Sequence, residues 1–215
     1  VSGSTFDSKA LSFDMTNRLK SQSRTVHITA TATDAKNQTA TAGADVTVTL
    51  NAEARRLDDL VFPQMSSRVN NCAKRLLLEE LTPLLRSDPG AKVILIGHRD
   101  ASEKGKLGST LDQARVINSA AVLSAGKGIC PSLDLSRIMV NSVGTEQASD
   151  TRPALCGSST NVKEKGGSAI RESDKRAQYR RVEVYIVPSG AEMPAGISGL
   201  KEAPAKEIQA KGCPK

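Results

Sequence analysis

This 215-residue chain has no Trp, three Phe and two Tyr, so its core must be built from Val, Leu, Ile and Ala. So few aromatic rings cannot form the stacking platform of a single-strand nucleic-acid binder. No apolar run approaches the ~18 residues of a membrane helix, so no membrane span is expected. The only histidines are His27 and His98, and no two of the four cysteines have metal-ligand spacing, which argues against a zinc site. Gly105-Lys106 and Gly126-Lys127 lack both the first glycine of a phosphate loop and the Ser or Thr after its lysine. His98-Arg99-Asp100 echoes a kinase catalytic loop, but no Asn follows at the required spacing and no glycine-rich ATP loop precedes it. His98 lies in a strand beside Gly97, where it reads as structural. The expectation is a non-enzymatic chain that takes no cofactor. It opens on Val1 without a charged leader and apolar core, and so reads as an excised or processed piece; any anchor would lie upstream.

The net charge is +7, yet Lys and Arg are scattered rather than clustered, and no basic patch stands out. A solvated basic surface also suits approach to an anionic partner. A nucleic-acid binder remains an alternative reading, one with steep salt dependence.

The informative stretch is residues 93 to 115. Val93-Ile94-Leu95-Ile96 is a buried β run, Gly97 is a strand exit, and Asp100 follows at the strand's end. Residues 101 to 108 form a small polar loop. Ser109 or Thr110 then caps a helix with Asp112 in its first turn and Arg115 about one turn in. A fixed negative and a fixed positive charge at the mouth of a strand–helix unit suit a zwitterionic ligand. An internal Asp100–Arg115 salt bridge is the competing reading of the same residues.

Three parts are legible in the pattern. Residues 24–51 alternate small or apolar residues with Thr around a turn at Asp34-Ala35-Lys36-Asn37, which predicts an antiparallel hairpin. It looks like the last two strands of an immunoglobulin-like or PKD-like sandwich, with Gly3 to Ser8 in an earlier strand. Residues 1–51 are too few for a whole sandwich of ~7 strands, so this part is expected to pack on the main domain or on a second copy, giving a homodimer. Residues 52–59 read as a short helical connector. Residues 60–190 form the main domain, whose first helix, Val69 to Leu85, should kink or end near Thr82 because of Pro83. Strands alternating with helices predict a largely parallel sheet closed by Arg181 to Val187. Residues 145–178 read as a polar insertion, and residues 191–215 as an extended tail.

Four blocks in order across residues 60–187 resemble the OmpA-like peptidoglycan-binding domain. They are Leu60-Val61-Phe62 with its helix and Asp88-Pro89-Gly90-Ala91; Gly97-His98-Arg99-Asp100; Leu111-Asp112-Gln113-Ala114-Arg115 with the helix to Gly126; and Val143-Gly144-Thr145-Glu146 followed by Tyr179-Arg180-Arg181-Val182-Glu183-Val184. The chain departs from the family in having Arg99 for Thr, Gly108 for Asn, Asp112 for Ser and Tyr179 for Asn. The resemblance implies an α+β fold, βαβαβ-αβ with helices on one face of the sheet. It implies non-covalent binding of peptidoglycan through the diaminopimelate of the stem peptide. Asp100 would hold the ammonium and Arg115 the carboxylate, with Arg180 and Ser66 assisting. It further implies a periplasmic, outer-membrane-associated anchor.

On that topology the four cysteines read as two disulfides in an oxidising compartment rather than as free thiols. Of three pairings, Cys72–Cys156 is favoured because both lie at the carboxyl end of the strands, which leaves Cys130–Cys213 to pin the tail.

Overall fold

A computed structural model of the chain describes residues 11–146 and 179–214. Backbone contacts divide it into two units, Val1–Glu53 and Ala54–Lys215.

The first unit is a long antiparallel ribbon, β1 (Gln22–Thr33) and β2 (Thr39–Leu50), in register from Gln22↔Leu50 to Thr33↔Thr39. Its turn is shaped by Asp34, whose carboxylate accepts the amides of Lys36 and Gln38, while Asn37 takes the left-handed φ of 61°. The two-residue period puts Val26, Ile28, Ala30 and Ala32 on one face opposite Val46, Ala44, Ala42 and Ala40. The other face is a polar ladder: Ser23–Thr49 and Thr25–Thr47 hydroxyl pairs and a His27–Asp45 contact of 2.6 Å. The hairpin is where periodicity puts it. The strand proposed at Gly3–Ser8 lies outside the described residues.

The second unit mixes helices and strands, an α+β arrangement. In chain order it contains β3 (Arg55–Arg56), β4 (Leu60–Val61), α1 (Asn71–Arg75), a π-helical turn (Leu76–Leu81), α2 (Thr82–Ser87), β5 (Lys92–Gly97), α3 (Gly105–Gly108), α4 (Leu111–Ser124), β6 (Ile138–Ser142), β7 (Arg181–Val187), β8 (Lys201–Glu202) and α5 (Ala205–Lys211). The strand order is β3-β7-β5-β6-β8, with β4 also paired to β7.

Among the described strands only β5 and β6 run parallel; β3, β4 and β5 are antiparallel to β7, and β8 is antiparallel to β6. The expected largely parallel sheet is therefore corrected to a mixed one. A short apolar run such as Val182–Val187 has the same composition whichever way it points, so periodicity does not fix direction. Residues 52–59, expected to be a helical connector, instead supply strand β3, and Leu57 N donates to Val184 O.

Asn70 starts the first helix: its side-chain oxygen accepts Ala73 N, and its amide nitrogen donates to Val61 O, tying the helix to β4. The Pro83 blemish is absorbed by the π-helical turn. Thr82 N and Thr82 Oγ1 both donate to Leu77 O, so the ladder shifts register before the residue that has no N–H to give. Leu76, Leu77, Leu81 and Leu85 are buried.

Strand β5 is buried on both faces. A side chain at Gly97 would lie 2.2 Å from Asp112 O and 2.6 Å from Val116 Cγ2, so that face, with Val93 and Leu95, lies under α4. The opposite face, with Ile94 and Ile96, packs with Val187 against Ala191, Ile197 and Leu200. The composition after residue 190 predicts an extended tail. The segment instead covers the second face of the sheet, adds β8 to its edge and lays α5 against α4, with Ile208 buried. Cys130 and Cys213 close this arrangement as a disulfide. Cys72 is also disulfide-bonded, while the proposed partner Cys156 and the 147–178 part of the insertion lie outside the described residues.

Candidate functional site

The carboxyl end of β5 gathers charge because three connections meet there. The turn after β5 brings Asp100 and Glu103, the first turns of α4 bring Asp112 and Arg115, and the β4–α1 connection passes over them with Pro63, Met65 and Ser66. Arg180 enters from the chain leading into β7. Gly97 lets the start of α4 sit directly on the strand, which brings Asp112 and Arg115 to this end.

Arg115 is wholly buried. Its Nη1 and Nη2 grip Glu103 Oε2 and Oε1 at 2.9 and 2.6 Å, and its Nε and Nη1 donate to Ser66 O and His98 O at 2.9 and 3.0 Å. The guanidinium carbon lies 5.4 Å from the centre of the Phe62 ring. Asp100 is equally buried; its Oδ1 accepts Ser102 N at 2.7 Å and its Oδ2 is 3.5 Å from Arg180 Nη1. Arg180 Nε donates to Phe62 O.

The four residues singled out by sequence thus converge from positions 66, 100, 115 and 180. Their connections differ from expectation. The proposed internal Asp100–Arg115 bridge is not formed; Arg115 pairs with Glu103, and Asp100 with Arg180. Ser66 contributes its carbonyl, while its hydroxyl accepts Arg68 N. Neither Ser109 nor Thr110 caps α4 through its side chain: their hydroxyls bond back to Lys106 O and Leu107 O. Asp112 accepts Gly144 N, linking α4 to the chain after β6.

Glu103 was the residue missed. An acidic residue in a polar loop reads as solvated, and the signal that could have found it is its spacing, three residues after Asp100. That spacing closes a turn in which Glu103 N donates to Asp100 O and Asp100 N donates to Glu103 Oε2.

A second charged network lies beside the first, on β3, β5 and β7. Arg56 forks onto Asp59, Arg181 reaches both Asp59 and Glu183, and Tyr185 donates to Glu183. The His98 ring lies between Glu146 O and Glu183 Oε1, both at 3.1 Å. Burial pushes the Glu183 carboxyl up, but the His98 ring beside it, the Arg181 hydrogen bond and the Arg56 charge outweigh it and hold the group at about 2. Burial and the Glu183 charge push the Tyr185 phenol up to about 12.

A cavity of about 520 Å³ lies at the other end of the sheet, lined in part by Thr82, Leu123, Leu133 and Arg137. Arg137 is already bonded to the carbonyls of Leu85, Asp88 and Ala91, so the cavity gains little chemistry from it. Among the described residues no His, Cys, Asp and Glu group is arranged to hold a metal ion, and no helix is long and apolar enough to cross a membrane. No protein-family model and no curated protein matches the chain.

Proposed function

We propose that the second unit is an OmpA-like domain that binds peptidoglycan without catalysis, tethering an outer-membrane or lipid-linked protein to the wall in the periplasm. The single observation that carries this reading is the convergence of Asp100, Arg115, Arg180 and Ser66 at one end of the sheet. Opposite charges held there by separate elements are the chemistry a diaminopimelate head group needs, an anion for its ammonium and a planar fork for its carboxylate. The order β4, helix, β5, α4, β6 and then β7 supports the same reading of the fold.

Co-sedimentation with insoluble peptidoglycan tests it, using the parent, Asp100→Asn and Arg115→Lys. Lysine keeps the charge but loses the fork. Both variants should leave the pellet, because losing one partner of a desolvated charge pair costs about 2–5 kcal/mol. Variants that stay folded and sediment like the parent reject the assignment. A second reading, in which the charges only brace the fold, draws on the complete burial of Asp100 and Arg115. It expects no sedimentation of the parent and a fall in melting temperature in the same two variants.

A further inference from the structure

Within residues 101–110 only Glu103 and Gly108 are buried, and Leu107 is 61% exposed. The segment therefore touches the body mainly through one carboxylate. That carboxylate accepts four hydrogen bonds: Arg115 Nη2 at 2.6 Å, Arg115 Nη1 at 2.9 Å, Met65 N at 2.8 Å and Asp100 N at 3.0 Å. A guanidinium fork with two amides is a receptor for any carboxylate, and nothing in it is particular to a glutamate side chain.

Most of the receptor is built without the segment that fills it. Arg115 comes from α4, and the Met65 amide from the β4–α1 connection. The Asp100 amide lies three residues past β5, at the start of the turn that carries Glu103. Met65 holds a left-handed φ of 55°, a strained conformation for a side chain of this size, and its amide lies within reach of the bound carboxylate. The filling segment is compact in itself. A side chain at Gly108 would lie 2.5 Å from the Glu103 backbone, so the two residues close a small loop that can move as a unit, with Gly105 at φ 81° within it.

We propose that Glu103 is an internal occupant of a carboxylate subsite made by Arg115 and the amides of Met65 and Asp100, and that a carboxylate ligand binds by exchanging for it. The identity of that ligand, a stem-peptide carboxylate, rests on the peptidoglycan reading above. Exchange of carboxylate for carboxylate never leaves Arg115 buried and unpaired, which is the expensive alternative. The closed form lowers apparent affinity by the fraction of molecules in which Glu103 is out. A neutral group cannot displace Glu103 at comparable cost, so the strap also selects for charge.

Calorimetric titration with a muropeptide carrying a meso-diaminopimelate stem tests this on the parent, Glu103→Gln and Glu103→Ala. Folded variants should bind at least tenfold tighter than the parent. In the parent itself, saturating muropeptide should speed trypsin cleavage after Lys104 and Lys106, a readout that needs no variant to fold. Equal or weaker binding in folded variants, or unchanged or slower cleavage in a parent that binds, overturns the proposal while leaving the peptidoglycan reading in place. If no form binds muropeptide, acetate decides: a rise in the melting temperature of Glu103→Ala, absent in the parent, keeps the carboxylate subsite and rejects only its peptidoglycan ligand, and no rise rejects both.

Discussion

Two buried ionic networks flank the end of β5, and they are built differently. In one, Arg56, Arg181 and Glu183 belong to strands and Asp59 and His98 lie just beside them, joined by ion pairs. In the other, Arg115 stands on α4, while Asp100 and Glu103 both come from the turn after β5, and the side chains that follow Glu103 are mostly in water. The first ties β7 to the chain of β3 and to His98 beyond β5. In the second, Glu103 belongs to no strand pair, so the exchange proposed above would leave the sheet pairing intact.

The comparison breaks most sharply at Arg181. Arg181→Met leaves Asp59 and Glu183 short of a cation and should cost about 3–5 kcal/mol in a denaturant melt. A loss under about 1 kcal/mol would mean that the strand network is as replaceable as a surface pair. Removing the Cys130–Cys213 bond by a double Ser substitution should cost roughly 2–4 kcal/mol, since it closes a long loop and pins the segment covering Ile94 and Ile96. Gly97→Ala should cost on the order of 1–3 kcal/mol, because the clash is with the α4 backbone at Asp112 O and cannot be relieved by a rotamer.

Acid sharpens the contrast. Glu183 titrates lower in the folded chain than in the unfolded one, so its contribution is complete above the unfolded value near 4.5 and is lost as pH falls toward about 2. That is on the order of 3 kcal/mol. The acid limb of a stability–pH curve should flatten between these values in Glu183→Gln. The smallest effect is expected on the ribbon. Asp45→Asn removes an exposed contact to His27 and should change stability by less than about 0.5 kcal/mol.

Much of this arrangement could be read from the chain in advance. The Thr/Ala alternation of residues 22–50 and the apolar run Val93–Ile96 encode their own strands, because burial on one or both faces leaves a periodic trace. Pro83 announced a disturbance near Thr82, although not that a π-helical turn would absorb it. Direction within the sheet was not legible, since β3, β4 and β8 are two-residue strands with no period to read. The segment after residue 190 misled through its Pro, Ala and Lys content, while Ala191, Ile197 and Leu200, spaced too widely to show a pattern, do the covering and Ile208 is buried on α5. Within the candidate site, Asp100 and Arg115 stood out by position, one at the end of the Val93–Ile96 run and one a turn into the helix that follows, within the blocks that resemble a known family. Glu103 did not, because a buried carboxylate in a polar loop differs from a solvated one only through partners that are distant in sequence.

The most direct test of the central claim is the affinity of the parent chain for a meso-diaminopimelate muropeptide, set beside Arg115→Lys checked for an unchanged far-ultraviolet circular dichroism spectrum. The expected result is saturable binding by the parent that drops at least thirtyfold in the variant, the equivalent of about 2 kcal/mol. Equal affinity in both, or no binding by the parent, would contradict the account.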